Sequence, residues 1–166
     1  MNSLALRILG LKNVAKKGCR LTMKSLLILC RGNICRSPMA AGFITHHLTQ
    51  PHSSMEVSSA GINAIINYPA DVHAQAVMKQ YDIDLSHHRA RQLTDTLVRK
   101  ANLILVMTAS HLDTVTKQFI TAKGKTFLLG HWGNREIPDP FMQPYEAFEK
   151  TYAQIELSWQ EWKTRI

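Results

Sequence analysis

Residues 24–39 read KSLLILCRGNICRSPM. Leu26 to Leu29 is a short apolar run of the length needed by a strand buried on both faces, and it ends on Cys30. Ser37-Pro38 reads as an N-cap residue and a proline at the first helical position, where the missing N–H is lost at no cost. The stretch therefore describes a strand, a tight loop and a helix N-terminus. A cysteine stands at the strand's end and Arg36 just ahead of the helix.

That arrangement suits an anion. The first turn of a helix has N–H groups with no partner inside the helix, and its dipole end is positive. Gly32 lets the backbone fold tightly, and Asn33 tolerates a left-handed conformation. Together they can turn the N–H groups of residues 31 to 36 inward around one tetrahedral oxyanion. Arg36 adds a planar fork that matches two phosphate oxygens. The field that would hold the anion also favours the thiolate form of Cys30, and the Ser37 hydroxyl can donate to its sulfur.

Cys-x5-Arg alone is a weak pattern, but behind an apolar strand and joined to GNICRSP it is specific. CRGNICRSPMA resembles the signature loop of the low-molecular-weight protein tyrosine phosphatases almost residue for residue, and the resemblance runs over about residues 23 to 166. It implies that Arg31, Gly32, Asn33, Ile34, Cys35, Arg36 and Ser37 surround the phosphate. The Ser58-Ser59-Ala60-Gly61 ending of the second strand also resembles the family. Ala41 stands where family members commonly carry an acid, a departure that touches the helix and leaves the chemistry intact.

Length and composition agree with one domain. The 166 residues can bury a real core, and no stretch is apolar enough for long enough to span a membrane. Cys19, Cys30 and Cys35 make no disulfide framework, which suits a reducing cytoplasm. No zinc spacing is present, and no metal or other cofactor is expected. The adjacent pairs His46-His47 and His87-His88 do not share a helix face and read as surface or satisfied histidines.

The net charge of +8 is unevenly spread. Residues 1–22 hold Arg7, Lys12, Lys16, Lys17 and Arg20 without an acid, leaving 15 basic and 12 acidic residues in the rest. The mildly basic body argues against a nucleic-acid partner and fits a phosphate-handling site. Residues 1–22 read as a basic extension outside the fold. It is a surface arm, a targeting peptide, or sequence preceding a true start at Met23, the reading favoured here.

Along the chain, helices are expected at 38–49, 70–81, 94–100, from Thr108 or Ser110 to Phe119, and at 144–166, with a turn at 50–54. In the 70–81 helix Val72, Ala76 and Val77 share one side. In the last helix Tyr145, Phe148, Tyr152, Ile155, Trp159, Trp162 and Ile166 form one apolar stripe that packs on a sheet. Strands are expected at about 25–30, 55–60, 102–107 and 126–129. This alternation predicts an α/β fold, three layers with a four-stranded parallel sheet between helices, and the resemblance implies the strand order 2-1-3-4. Lys123-Gly124-Lys125-Thr126 lacks the earlier glycine of a nucleotide loop, since Phe119 stands there, so Gly124 is a turn.

Glu136-Ile137-Pro138-Asp139-Pro140-Phe141 is the second functional stretch. Two prolines of fixed φ can hold the Asp139 carboxyl at a defined height. The Asp-Pro-aromatic pattern resembles the family's general-acid loop. With His131-Trp132 ahead of it, the run resembles the bacterial branch associated with capsule and exopolysaccharide export. In the family the 62–69 loop helps wall the substrate pocket, so Asn67 and Tyr68 are candidates there, alongside Ile34 and Phe141. His88 to Leu93 also resembles a family segment and reads as structural.

The implied chemistry is hydrolysis of protein phosphotyrosine. Cys30 attacks phosphorus, Arg36 and the loop N–H groups hold the transition state, and Asp139 protonates the phenolate and then activates water. The rate should trace a bell with an acidic-to-neutral optimum. Cys35 can trap an oxidised Cys30 as a disulfide. An autophosphorylated tyrosine kinase of polysaccharide export is the substrate that the resemblance suggests, met by a monomer. Arsenate reduction needs a later resolving cysteine, and none follows Cys35. A phosphoarginine phosphatase tends to carry threonine where Ile34 stands. A silent phosphotyrosine-binding module would not need Cys30, Arg36 and Asp139 together.

Overall fold

The computed structural model describes residues 23–48 and 55–166. The basic extension, Cys19 and the turn expected at 50–54 lie outside these residues.

Four parallel strands form one sheet in the order β2-β1-β3-β4: β1 (Ser25–Cys30), β2 (Glu56–Gly61), β3 (Leu103–Val106) and β4 (Thr126–Leu128). The expected order is therefore the observed one. The central strand β1 pairs with β2 from Ser25 opposite Glu56 to Cys30 opposite Gly61, and with β3 from Leu26 opposite Leu103 to Leu29 opposite Val106. Side chains alternate across a strand, so β1 feeds two cores. Leu26, Ile28 and Cys30 join one cluster with α1 (Arg36–His47), α2 (Val72–Lys79) and α5 (Tyr145–Lys163). Leu27 and Leu29 join the other with α3 (Asp95–Lys100) and α4 (Ala109–Gln118). Burial on both faces is why β1 is a continuous apolar run. Each leucine fully removed from water there contributes roughly 1.5–3 kcal/mol.

Three local expectations change. Helix α1 starts at Arg36, and Ser37 makes no capping bond at its N-terminus. Pro38 thus sits third in the helix, still within the turn whose N–H groups lack partners. Helix α2 is shorter than expected because Asp71 caps it, accepting from the His73 N–H at 2.8 Å. Its buried positions are Ala74, Val77 and Met78, while Val72 is 70% exposed. At the first position of the helix Val72 swings out to solvent, so a period counted from it mistakes the inward face. Helix α5 ends at Lys163, which leaves Ile166 beyond the stripe and exposed, whereas Phe148, Tyr152, Ile155, Trp159 and Trp162 are buried as the spacing demands.

The topology places the 31–35 loop at the carboxyl end of β1. The strand order reverses there, between β2 and β3, and open parallel sheets form their crevice at that point.

Candidate active site

The loop after β1 owes its shape to what its carbonyls do. The oxygens of Cys30, Arg31 and Gly32 accept from the N–H groups of Ile62, Asn63 and Ile65 at 3.0, 3.0 and 3.1 Å. The Asn33 oxygen accepts from His88 Nε2–H at 2.7 Å, Ile34 from the Asp71 N–H at 2.8 Å, and Cys35 from the Met39 N–H at 3.2 Å. Six successive carbonyls are thus bonded outward. The N–H of a trans peptide points opposite to its C=O, so the amides of residues 31 to 36 turn toward the common centre. The sequence suggested such a nest; five of the six partners that enforce it come from the 62–71 segment and His88, and the sixth is Met39 of α1.

Asn33 is the hub. It is fully buried at φ 59°, the left-handed conformation its residue type permits. Its Nδ2 donates to Ser37 Oγ at 2.8 Å and to Ser59 Oγ at 3.0 Å, and its Oδ1 accepts from the Arg91 N–H at 3.0 Å. Only its backbone faces the cup, where its N–H donates to Cys30 Sγ at 3.3 Å. Ser37 Oγ lies 3.0 Å from the same sulfur. Displaced from the capping role, the serine hydroxyl meets the cysteine as expected. Gly61 is needed for the loops to approach: a Cβ there would stand 2.8 Å from both the Arg31 carbonyl oxygen and the Ala64 Cα.

Arg36 is buried, and it reaches across to the 136–141 segment. Its Nη1 donates to the Ile137 carbonyl at 3.1 Å and its Nη2 pairs with Asp139 Oδ2. Its Nε has no partner, although a buried donor of this kind ordinarily has one. Asp139 itself is partly exposed and accepts from the Phe141 N–H at 3.3 Å. A cleft of about 220 Å³ is lined by Cys30, Arg31, Gly32, Ile34, Cys35, Arg36, Asn63, Ile65, Asp139 and Phe141. Ile34 and Phe141 line this cleft. Tyr68 does not: it is 61% exposed and lies outside the lining, and the 62–69 loop contributes Asn63 and Ile65 instead. Within a loop no periodicity tells which side chain turns inward, so the segment was legible and its residues were not.

Two groups near the cleft are held neutral. Burial, reinforced by the negative charge of Asp71, raises the Cys35 thiol far above its ordinary range. Burial first, and then the Arg36 cation, press His111 down to about 4. His111 lies in the first turn of α4, where its N–H donates to Thr108 Oγ1 at 3.3 Å, and nothing in its sequence context singled it out. Among the described residues, no group of three or more His, Cys, Asp or Glu side chains could hold a metal ion.

An oxyanion nest, a cysteine at its floor, a buried arginine and a facing carboxyl define a phosphate monoester hydrolase of the cysteine type. The chain belongs to the low molecular weight phosphotyrosine protein phosphatase family, whose sequence model matches residues 25–166. It is 42% identical to the probable low molecular weight protein-tyrosine-phosphatase EpsP of Ralstonia solanacearum, over 87% of this chain and 97% of the relative. It superposes on Wzb of Vibrio vulnificus in complex with benzylphosphonate with a TM-score of 0.81 and 37% identity, over 87% of this chain and 99% of the other. The YwlE arginine phosphatase of Geobacillus stearothermophilus is also similar, with a TM-score of 0.75 and 36% identity over 81% and 87% of the two chains. EpsP and Wzb lie in the exopolysaccharide-associated branch that the sequence resembles.

Proposed function

We propose that this chain dephosphorylates phosphotyrosine on a bacterial tyrosine kinase of polysaccharide export, with Cys30 as nucleophile, Arg36 as transition-state clamp and Asp139 as general acid and base. The observation that carries this reading is the cup itself. Cys30 Sγ receives two hydrogen-bonding partners at the foot of a ring of inward amides, and Arg36 links that ring to Asp139. The sulfur attacks phosphorus in line, and the S–P bond forms as the P–O bond to the phenol breaks. The amides and the Arg36 fork take up charge on the equatorial oxygens, and the unpartnered Nε is one donor available to them. Asp139 gives its proton to the departing oxygen, then takes one from the water that cleaves the phosphocysteine. Ile34, Ile65 and Phe141 offer apolar faces to an aromatic ring.

Cys35 is assigned a protective role. Its thiol condenses with a Cys30 sulfenic acid, forming the disulfide and releasing water. Both cysteines are free and buried, as a reduced resting state requires. No helix among the described residues is long and apolar enough to cross a membrane. We assign the chain's action to the cytoplasm, as a monomer and without nucleic acid.

Phosphoarginine is the second reading, favoured by the likeness to an arginine phosphatase. The branched apolar Ile34 at the cleft wall supports the aromatic substrate over it. Two measurements test the choice. Purified protein should hydrolyse phosphotyrosine peptides at least about tenfold faster than phosphoarginine peptides, as befits an added apolar contact of roughly 1–3 kcal/mol. A Cys30→Ser bait in bacterial cells should retain a tyrosine-phosphorylated kinase; retention of arginine-phosphorylated proteins instead would reverse the assignment.

A further inference from the structure

We propose that Arg135 is a positioning residue for Asp139, which it holds through a clamp on the C-terminal helix. The inference rests on the reading of Asp139 as the general acid. Arg135 Nη2 pairs with Glu161 Oε2 and its Nε donates to Ser158 Oγ at 3.4 Å, both partners on α5. The pair is about three-quarters buried, and Ser158 is wholly so. Space for the arginine is built into the chain. A Cβ on Gly133 would fall on the guanidinium, and one on Gly130 would lie 2.6 Å from Arg135 Cγ. The Arg135 N–H also donates back to the Gly130 carbonyl at 3.1 Å, after Asn134 has turned the chain at φ 47°.

What the clamp adds follows from the other ties of the segment. The Ile137 N–H donates to the Met107 carbonyl at 2.9 Å, and Glu136 Oε1 accepts from the Ala109 N–H at 2.7 Å. Both ties run to the junction of β3 and α4. Arg135 is tied to a different element, α5. Arg36 adds a third hold, from Nη1 to the Ile137 carbonyl at 3.1 Å and from Nη2 to the Asp139 carboxyl, and Arg135 sets the direction in which the chain enters these ties. From Ile137 onward two prolines of fixed φ carry that direction to the carboxyl of Asp139. Arg135 is not among the residues that line the cleft, so its effect on the reaction should pass through Asp139.

The experiment compares kcat/KM on phenyl phosphate, which loses a basic phenolate and needs an acid, with p-nitrophenyl phosphate, which needs one less. Asp139→Asn should lower phenyl phosphate turnover ~10²-fold and the nitrophenyl ester by much less. An equal loss on both esters would remove Asp139 as the acid, and this inference with it. Given the expected Asp139→Asn result, Arg135→Ala should cost roughly tenfold on phenyl phosphate and less than about threefold on the nitrophenyl ester. In the Asp139→Asn background Arg135→Ala should change neither rate by more than about twofold. Gly133→Ala keeps both charges and, by crowding the flexible end of the arginine, should repeat the pattern in a chain whose Arg135 and Glu161 are intact. Equal losses on the two esters in both single variants, or a multiplicative loss on top of Asp139→Asn, overturns the proposal while leaving the role of Asp139 standing.

Discussion

The two segments that meet at the cleft are held in different ways. In the 30–36 loop every carbonyl from Cys30 to Cys35 is engaged, and Asn33 to Ser37 are buried without exception. In the 135–142 segment Ile137 is buried and tied, yet two residues later Asp139 is partly exposed, Phe141 is 45% exposed and Met142 is 85% exposed at φ 61°. One wall of the site is a fixed mould and the other is a short arm on anchored roots. That division suits the chemistry. The mould must match charge developing on phosphoryl oxygens without reorganising, whereas the arm must reach the leaving oxygen and later a water. Mould and arm touch at Arg36, through its bonds to the Ile137 carbonyl and the Asp139 carboxyl.

Four experiments sharpen or break this contrast. The largest effect is expected in the mould: Cys30→Ser should abolish turnover of p-nitrophenyl phosphate, by about 10⁴-fold or more, while inorganic phosphate still binds competitively. Loss of phosphate binding along with turnover would mean that the sulfur shapes the cup as well as reacting in it. Next comes Asn33→Ala. It removes three side-chain hydrogen bonds and puts alanine at φ 59°, and should destabilise the fold by roughly 3 kcal/mol in urea titration, with activity falling in step. A change below ~1 kcal/mol would show that the outward carbonyl bonds suffice alone.

A smaller effect is expected from pH. His111 is held down to about 4 against an ordinary 6.5, so the unfolded chain binds the proton that the folded one refuses. The His111 contribution to stability is therefore complete above about 6.5 and is lost as the pH falls toward 4. His88, also lowered by burial, adds in the same direction. Equilibrium unfolding of wild type and His111→Gln at pH 7 and pH 5 checks this, and the variant should lose less between the two. The smallest effect belongs to the rim. Tyr68→Ala should leave kcat/KM for a phosphotyrosine peptide within about twofold, whereas Ile65→Ala, which strips apolar surface from the cleft wall, should lower it about threefold to tenfold.

Much of this molecule can be read before it is folded. Leu26 to Leu29 announces a strand buried on both faces because such a strand has no polar side to alternate with. CRGNICRSP carries its conformation in its residue types: glycine and asparagine where the chain must turn, arginine and serine where a helix opens toward an anion. The spacing of Phe148, Tyr152, Ile155, Trp159 and Trp162 gives the buried stripe of α5 directly. Pro138 and Pro140 mark the stiffness around Asp139. These features are local, and local sequence records local geometry.

The remaining features arise from contacts between residues far apart in the chain. That Ser37 serves the sulfur and does not cap the helix depends on Asn33 Nδ2, which is itself set by Ser59 and Arg91. That Asn63 and Ile65 line the cleft, and Tyr68 does not, follows from the 62–65 backbone pairing with the carbonyls of residues 30–32. The face of α2, the depressed His111 and the grip of Arg135 on α5 all depend on which surface packs beside which. A sequence states what each residue can do. Which of those capacities a residue exercises is settled by neighbours that only the folded chain brings within hydrogen-bonding reach.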